Sequence, residues 1–285
     1  MFVSDNSLVS AKNYFSQRLS NLYDERELNQ IFRILIMKRF GWNSADWLLK
    51  KDARLSESDL LYIRSAVKRL QENEPFQYVL GSVEFYGLEL NIRSGALIPR
   101  PETEELVDWA VKSYRGGIVL DICSGSGCMA LGFQSKFEEA DVKGFEISDE
   151  ALKISLENKE KTGFSTQFQK VDVLQNWPIE DCTVSVIMSN PPYISEEESE
   201  KMKQNVLDFE PHLALFVYND DVLLFYKEIA KQATQKLISG GQLFFEIHEE
   251  KGKEVIELLQ KLNYTEIELR QDLQGKSRMI RAVKP

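Results

Sequence analysis

Val119-Leu120-Asp121-Ile122-Cys123-Ser124-Gly125-Ser126-Gly127 is an apolar strand that runs into a turn of small residues and on toward a helix. Glycines let a backbone approach a bound ligand closely, and a turn of this kind occupies the nucleotide pocket of open α/β sheets. By itself the stretch reads equally well as a tight turn with no ligand, because short glycine motifs recur without function. The third glycine of GxGxxG is missing, since Ala130 and Leu131 fill that region, and a dinucleotide is therefore disfavoured.

Working outward, apolar runs alternate with amphipathic ones after Pro101, a residue suited to the first turn of a helix through Leu106 and Val107. The pattern predicts strands at 118–122, 142–146, 166–171, 184–189, 241–247, 265–270 and 279–283, with helices near 128–137, 149–160, 221–238 and 249–262. That is a doubly wound, Rossmann-like α/β domain with a mostly parallel sheet, whose ligands lie beyond the carboxyl ends of the strands. Upstream the texture is helical. Leu28, Ile31, Phe32, Leu35 and Ile36 recur at helical spacing, and Ser56 with Asp59 marks a capped start for a stripe of Leu60, Leu61, Ile63, Val67 and Leu70, which Pro75 ends. From Phe76 to Ile98, short β-prone pieces between Gly81, Gly87 and Gly95 suggest a hairpin. The expected organisation is a helical domain over 1–74, a β-hairpin linker over 75–98 and the α/β domain over 99–285.

Two domains suit 285 residues, and 43% hydrophobic residues supply the cores. Three cysteines, Cys123, Cys128 and Cys182, show no CxxC spacing, so neither a disulfide framework nor a zinc site is indicated. A net charge of -10 argues against a phosphate-tracking surface and suits a basic protein partner better than nucleic acid. No run reaches the length of a membrane span, and the start MFVSDNSLVS lacks the basic and apolar segments of a signal peptide, so the expected location is the cytoplasm.

Beyond the turn, Glu146 ends the next strand, where an acidic residue accepts hydrogen bonds from ribose hydroxyls; the plainer reading is a solvated carboxylate. The decisive stretch is Ser189-Asn190-Pro191-Pro192-Tyr193, directly after the apolar run Val184 to Met188. Two prolines fix an extended turn and offer carbonyls with no competing N–H, Asn190 adds an amide oxygen, and Tyr193 adds an aromatic face. Such a slot holds a flat NH2 group by two acceptors with its π-face toward a methyl donor. His212 and His248 stand alone and read as structural, and no metal is implied. Gly240-Gly241-Gln242 reads as a turn entering a strand, and Ser195 to Lys203 as a solvated helix start.

Asn-Pro-Pro-Tyr at this place resembles the amino-group methyltransferases, and the flanking text resembles the release-factor glutamine methyltransferase family. That text is Tyr78-Val79-Leu80-Gly81, Glu84-Phe85-Tyr86-Gly87-Leu88, Leu97-Ile98-Pro99-Arg100-Pro101-Glu102-Thr103-Glu104, Phe209-Glu210-Pro211, and Arg270 to Lys276 with Arg278. The resemblance spans roughly residues 70 to 285. It implies a class I methyltransferase fold, S-adenosylmethionine as sole cofactor, and the glutamine of a release factor's Gly-Gly-Gln loop as substrate, with the helical domain binding that substrate. It also implies a donor site of Asp121, Ser124, Gly125, Ser126, Gly127, Glu146, Asp172, Val173 and Asn190, and a catalytic slot of Asn190, Pro191, Pro192 and Tyr193. Two positions depart from the family pattern: Cys123 stands at the usual first glycine of the turn, and Val173 where relatives often place an aromatic. A methyltransferase acting on adenine or guanine is the alternative, since the slot also suits a flipped base, and the acidic balance opposes it. A binding module with a vestigial donor fold is a third reading, opposed by the intact Asn190 slot.

Overall fold

The structure, a computed structural model, describes residue 3 and residues 5–202, 204–217 and 221–285. Helices come first: α1 (Leu8–Leu19), α2 (Glu25–Phe40), α3 (Ser44–Leu49), α4 (Glu57–Gln71) and α5 (Phe76–Leu80). A hairpin of β1 (Ser82–Phe85) and β2 (Leu88–Asn91) follows, then α6 (Pro101–Ser113), β3 (Ile118–Ile122), α7 (Cys128–Gln134), β4 (Val142–Glu146), α8 (Asp149–Thr162), β5 (Gln167–Lys170) and β6 (Val184–Ser189). After a 3-10 helix at Glu196–Lys201 come α9 (Gln204–Phe209), α10 (His212–Leu215), α11 (Leu224–Lys236), β7 (Leu237–Glu246), α12 (Gly252–Lys261), β8 (Thr265–Gln271) and β9 (Ser277–Val283). The chain divides into two compact units, Met1–Gly81 with Gln204–Phe209, and Ser82–Lys203 with Glu210–Pro285.

In the helical unit, reciprocal caps satisfy the exposed N–H groups at helix starts. Glu27 N donates to Asp24 Oδ1 at 2.8 Å while Asp24 N donates to Glu27 Oε2 at 3.2 Å, and Ser56 with Asp59 repeats the device at α4. Leu28, Ile31, Phe32, Leu35 and Ile36 are all buried as their spacing predicts, against Phe15, Leu19, Ile63 and Leu70. Leu61 is the exception. It is 54% exposed, because the residue next to Leu60 lies about 100° round the helix and off the buried face.

The stretch read as hairpin from residue 75 opens instead with a helix. Asn73 takes φ 63° and breaks α4, and Pro75 then stands at the start of α5, where its missing N–H costs nothing. The hairpin itself is confined to 82–91 and belongs to the second unit.

The second unit is built on a seven-stranded sheet of order β5-β4-β3-β6-β7-β9-β8, parallel except where β9 pairs with β7 and β8. Helices cover both faces, so β6 is buried at every residue and reads as a continuous apolar run rather than an alternation. One face packs Leu120, Phe145, Phe245 and Tyr226, the other Leu106, Val119, Phe133 and Phe244. Each fully buried Phe or Leu contributes about 1.5–3 kcal/mol. β7 begins four residues before its predicted start. A bulge against β6 takes up residues 238–241, with Gly240 at φ 74°, so Gly240-Gly241 lies in an interruption inside a strand and pairing resumes at Gln242. Ser195 caps the 3-10 helix, and Lys203, the end of the predicted solvated run, lies outside the described residues. Among the described residues no helix is long and apolar enough to cross a membrane.

Candidate active site

Strand order reverses at β3: β4 and β5 extend the sheet to one side and β6 to the other. A crevice opens at such a switch point beyond the carboxyl ends. A cavity of about 220 Å³ is found there, and its wall takes residues from the ends of β3, β4, β5 and β6.

The turn after β3 is held in a shape few residues accept. Cys123 takes φ 63°, Gly125 φ 55° and Gly127 φ 80°. Cys123 thus occupies a left-handed position that a glycine adopts freely and other residues only at a cost of about 1–2 kcal/mol. A Cβ on Gly127 would stand 2.6 Å from Phe168 Cζ, and one on Gly144 of β4 would stand 2.5 Å from Phe168 Cδ1. The two glycines therefore make room for one ring from β5. Asp121 is fully buried below the turn, where its Oδ2 accepts from Ala130 N at 3.0 Å and ties β3 to α7. Its Oδ1 and the Ser124 hydroxyl are buried with no hydrogen-bond partner among the described residues.

Glu146 ends β4 with both carboxylate oxygens engaged. Oε2 accepts from Gly125 N at 2.8 Å, and Oε1 from Ile147 N at 2.9 Å and Ser148 N at 2.8 Å. Burial pushes its pKa up, and the backbone N–H groups pull it back. Burial, with the Glu146 charge as a smaller contribution, likewise holds Asp121 well above the usual carboxylate range. The side chain is thus no solvated carboxylate: it is 8% exposed and braces the glycine turn.

After β6, the Ser189 hydroxyl donates to Ile122 O at 2.8 Å and locks the two central strand ends together just before Asn190. Asn190 and Pro192 line the cavity and Pro191 is buried. The Tyr193 hydroxyl faces Glu246 Oε1 at 3.5 Å, and its ring stands edge-on to His248 with centroids 6.0 Å apart. Burial, then the Glu246 charge, push the Tyr193 pKa up.

Of the residues expected in the site, Gly125, Glu146, Asp172, Val173, Asn190 and Pro192 line this one cavity. Asp121, Ser124, Ser126, Gly127, Pro191 and Tyr193 do not line it; Asp121 and Gly127 shape the turn that does. Sequence reasoning missed Phe225 and Leu213, which add apolar wall, and it gave no role to Glu210 and Glu246. Glu210 is buried, accepting from Arg100 NH2 at 2.6 Å and from Ile98 N at 3.1 Å, so Glu210 and the Ile-Pro-Arg-Pro stretch meet in space. No local spacing announces that pairing. The donor chemistry suits S-adenosylmethionine: Glu146 and Asp172 are acceptors for hydroxyl and amine groups, and Phe145, Ile147, Val173, Leu174 and Phe225 form apolar walls for a flat base.

Residues 103–209 match the methyltransferase small domain and residues 10–81 the PrmC N-terminal domain. A protein of Flavobacterium psychrophilum named release factor glutamine methyltransferase is 38% identical over 95% of this chain and 98% of its own length. One of the same name from Bacteroides thetaiotaomicron is 37% identical over 94% of this chain and 97% of its own. Among solved structures, a methyltransferase from Pyrococcus furiosus is similar with TM-score 0.52, at 19% identity over 76% of this chain and 96% of that one. The hMettl16 catalytic domain, solved in complex with a 3′UTR hairpin, gives TM-score 0.57 at 14% identity over 81% and 83%. These two likenesses speak for the class I methyltransferase fold alone.

Proposed function

The chain belongs to the release factor glutamine methyltransferase family, a family of S-adenosylmethionine-dependent enzymes, and from that premise we propose that it methylates the side-chain amide nitrogen of the glutamine in a release factor's Gly-Gly-Gln loop. The observation that supports this most is the cavity at the switch point, where Glu146 and Asn190-Pro-Pro-Tyr193 come from strands either side of β3 and Asn190 and Pro192 share a wall with Glu146. We assign the helical segment 1–74 to gripping the protein substrate, and the reaction to the cytoplasm, where release factors act.

S-adenosylmethionine, when bound, supplies an electrophilic sulfonium methyl. Glu146 would hold its ribose hydroxyls, Gly125 and the turn from Ser124 to Gly127 its amino-acid end, and Asp172 and Val173 its adenine. Asp121 keeps the turn in shape through Ala130 N. On the acceptor side, an amide nitrogen is a poor nucleophile because its lone pair is delocalised into the carbonyl. Asn190 Oδ1 and the Pro191 carbonyl accept the two amide N–H groups, fix the nitrogen and favour the positive charge that grows on it. The rigid Pro191-Pro192 turn preorganises both acceptors. Tyr193 supplies an aromatic face beside the cationic centre, a contact worth about 0.5–2 kcal/mol. No base is needed beforehand, since the methylated nitrogen is acidic and releases its proton afterward.

The test incubates the enzyme with labelled donor and purified release factor and maps the methyl group by mass spectrometry. It should fall on the glutamine of Gly-Gly-Gln, with incorporation into duplex DNA or structured RNA lower by orders of magnitude. Comparable incorporation into nucleic acid at matched salt would overturn the reading.

A further inference from the structure

β7 ends at Glu246, and its carboxylate is buried, with 3% of the residue exposed, in a place where a strand's last polar side chain usually reaches water. Thr103 Oγ1, in the first turn of α6, donates to Oε2 at 2.6 Å, and the Tyr193 hydroxyl faces Oε1 at 3.5 Å. The Glu246 carbonyl accepts from the Tyr226 hydroxyl at 3.2 Å, which fixes the strand end itself. Among the described residues no cation lies within ion-pair distance: Arg100 is committed to Glu210, and Arg278 lies against Glu249 and Asp272. A buried carboxylate without a paired cation is expensive, and a neutral acceptor would satisfy Thr103 as well. What the second carboxylate oxygen adds is its reach to Tyr193.

Tyr193 needs that partner. Pro191 and Pro192 fix the backbone before it, yet the ring still turns about its own side-chain torsions. Its ring packs against the core cluster that holds Tyr226 and Phe245, and its hydroxyl contact to Glu246 and its edge-on contact to His248 further oppose that turning. Catalytic hydrogen bonds are often long in the free protein and tighten when substrate is held.

We propose that Glu246 is a positioning residue of methyl transfer, which, itself anchored by Thr103, holds the Tyr193 hydroxyl and thereby sets the ring against the acceptor amide. The inference rests on reading Asn190 to Tyr193 as the acceptor slot. It gives Thr103, from the Ile-Pro-Arg-Pro-Glu-Thr-Glu stretch, a reason to stand where it does.

The test is a double-mutant cycle on purified release factor with Glu246→Gln, Tyr193→Phe and the pair together, read as kcat, KM and donor affinity. Glu246→Gln exchanges a charged acceptor for a weaker neutral one and should lower kcat on the order of tenfold with donor affinity within about twofold of the parent. In the Tyr193→Phe background the same substitution should change kcat by less than about twofold, because its route of action is already cut. Equal losses in both backgrounds, or an unchanged kcat, overturn the proposal. If Glu246→Gln does not fold, Thr103→Val carries the same cycle, since it frees Oε2 and leaves the carboxylate in place. Near-normal turnover by Asn190→Ala would instead remove the acceptor-slot reading and this proposal with it, whereas an inactive Asn190→Ala beside an unaffected Glu246→Gln removes only the proposal.

Discussion

Glu146→Gln keeps the outline of the side chain but not its three contacts. The carboxylate spreads them over two oxygens, Ile147 N and Ser148 N on Oε1 and Gly125 N on Oε2, at 2.8–2.9 Å. An amide has one oxygen. Whichever way it turns, its NH2 meets at least one backbone N–H, donor against donor. Loss of a hydrogen bond to a charged group costs about 1.5–3 kcal/mol. If that loss loosens the Gly125 turn and removes an acceptor for ribose, donor affinity falls roughly tenfold to a hundredfold, at about 1.4 kcal/mol per decade. Opposing this, the neutral amide escapes the desolvation that raises the Glu146 pKa, so the donor-free protein should lose less stability than the missing bond implies. The expected signature is therefore split: calorimetry shows the weakened donor affinity while the melting temperature without donor moves little. Unchanged donor affinity in a folded variant would remove Glu146 from the donor site and refute the reasoning.

Asn190→Ala should cut the rate roughly a hundredfold to a thousandfold, as for loss of one preorganised transition-state contact, with donor affinity largely kept; single-turnover kinetics beside calorimetry separates the two. Gly127→Ala should destabilise the protein whether or not donor binds there. Its φ of 80° and the 2.6 Å approach of Phe168 Cζ add strain of about 1–2 kcal/mol to crowding of about 1–3 kcal/mol, a fall in melting temperature on the order of 10 °C. Glu246→Gln should change how stability varies with pH. Burial holds the Glu246 pKa above its ordinary 4.5, so this group's contribution is fully present below 4.5 and lost as pH rises through the raised value. Gln does not titrate, so the variant's melting temperature relative to the parent should climb from pH 4.5 toward 7, and a flat difference would contradict the burial argument.

The α/β domain was legible because a parallel sheet covered on both faces writes itself as apolar runs. Val184 to Ser189 is such a run, and β6 is buried throughout. Errors fell at single residues, where helical phase, a backbone break or strand register decides the outcome within an element of the right type. Leu61 has the right chemistry for the α4 stripe and sits off its face, Pro75 starts a helix rather than ending the helical run, and Gly240-Gly241 is a bulge within β7 rather than a turn ahead of it.

The sequence by itself determined the fold class, the strand after which each candidate group stands and the family, because helix and strand periods, glycine turns and short motifs are local properties of the chain. It also named Glu146 and Asn190, since both lie at strand ends and strand ends were readable. The tertiary structure alone decided that Glu146 braces the Gly125 turn, that Glu210 meets Arg100 across 110 positions and that Glu246 meets Thr103 across 143. Whether a carboxylate is solvated or buried, and which distant hydroxyl or guanidinium answers it, depends on how strands from opposite sides of the switch point converge. No local pattern encodes that convergence.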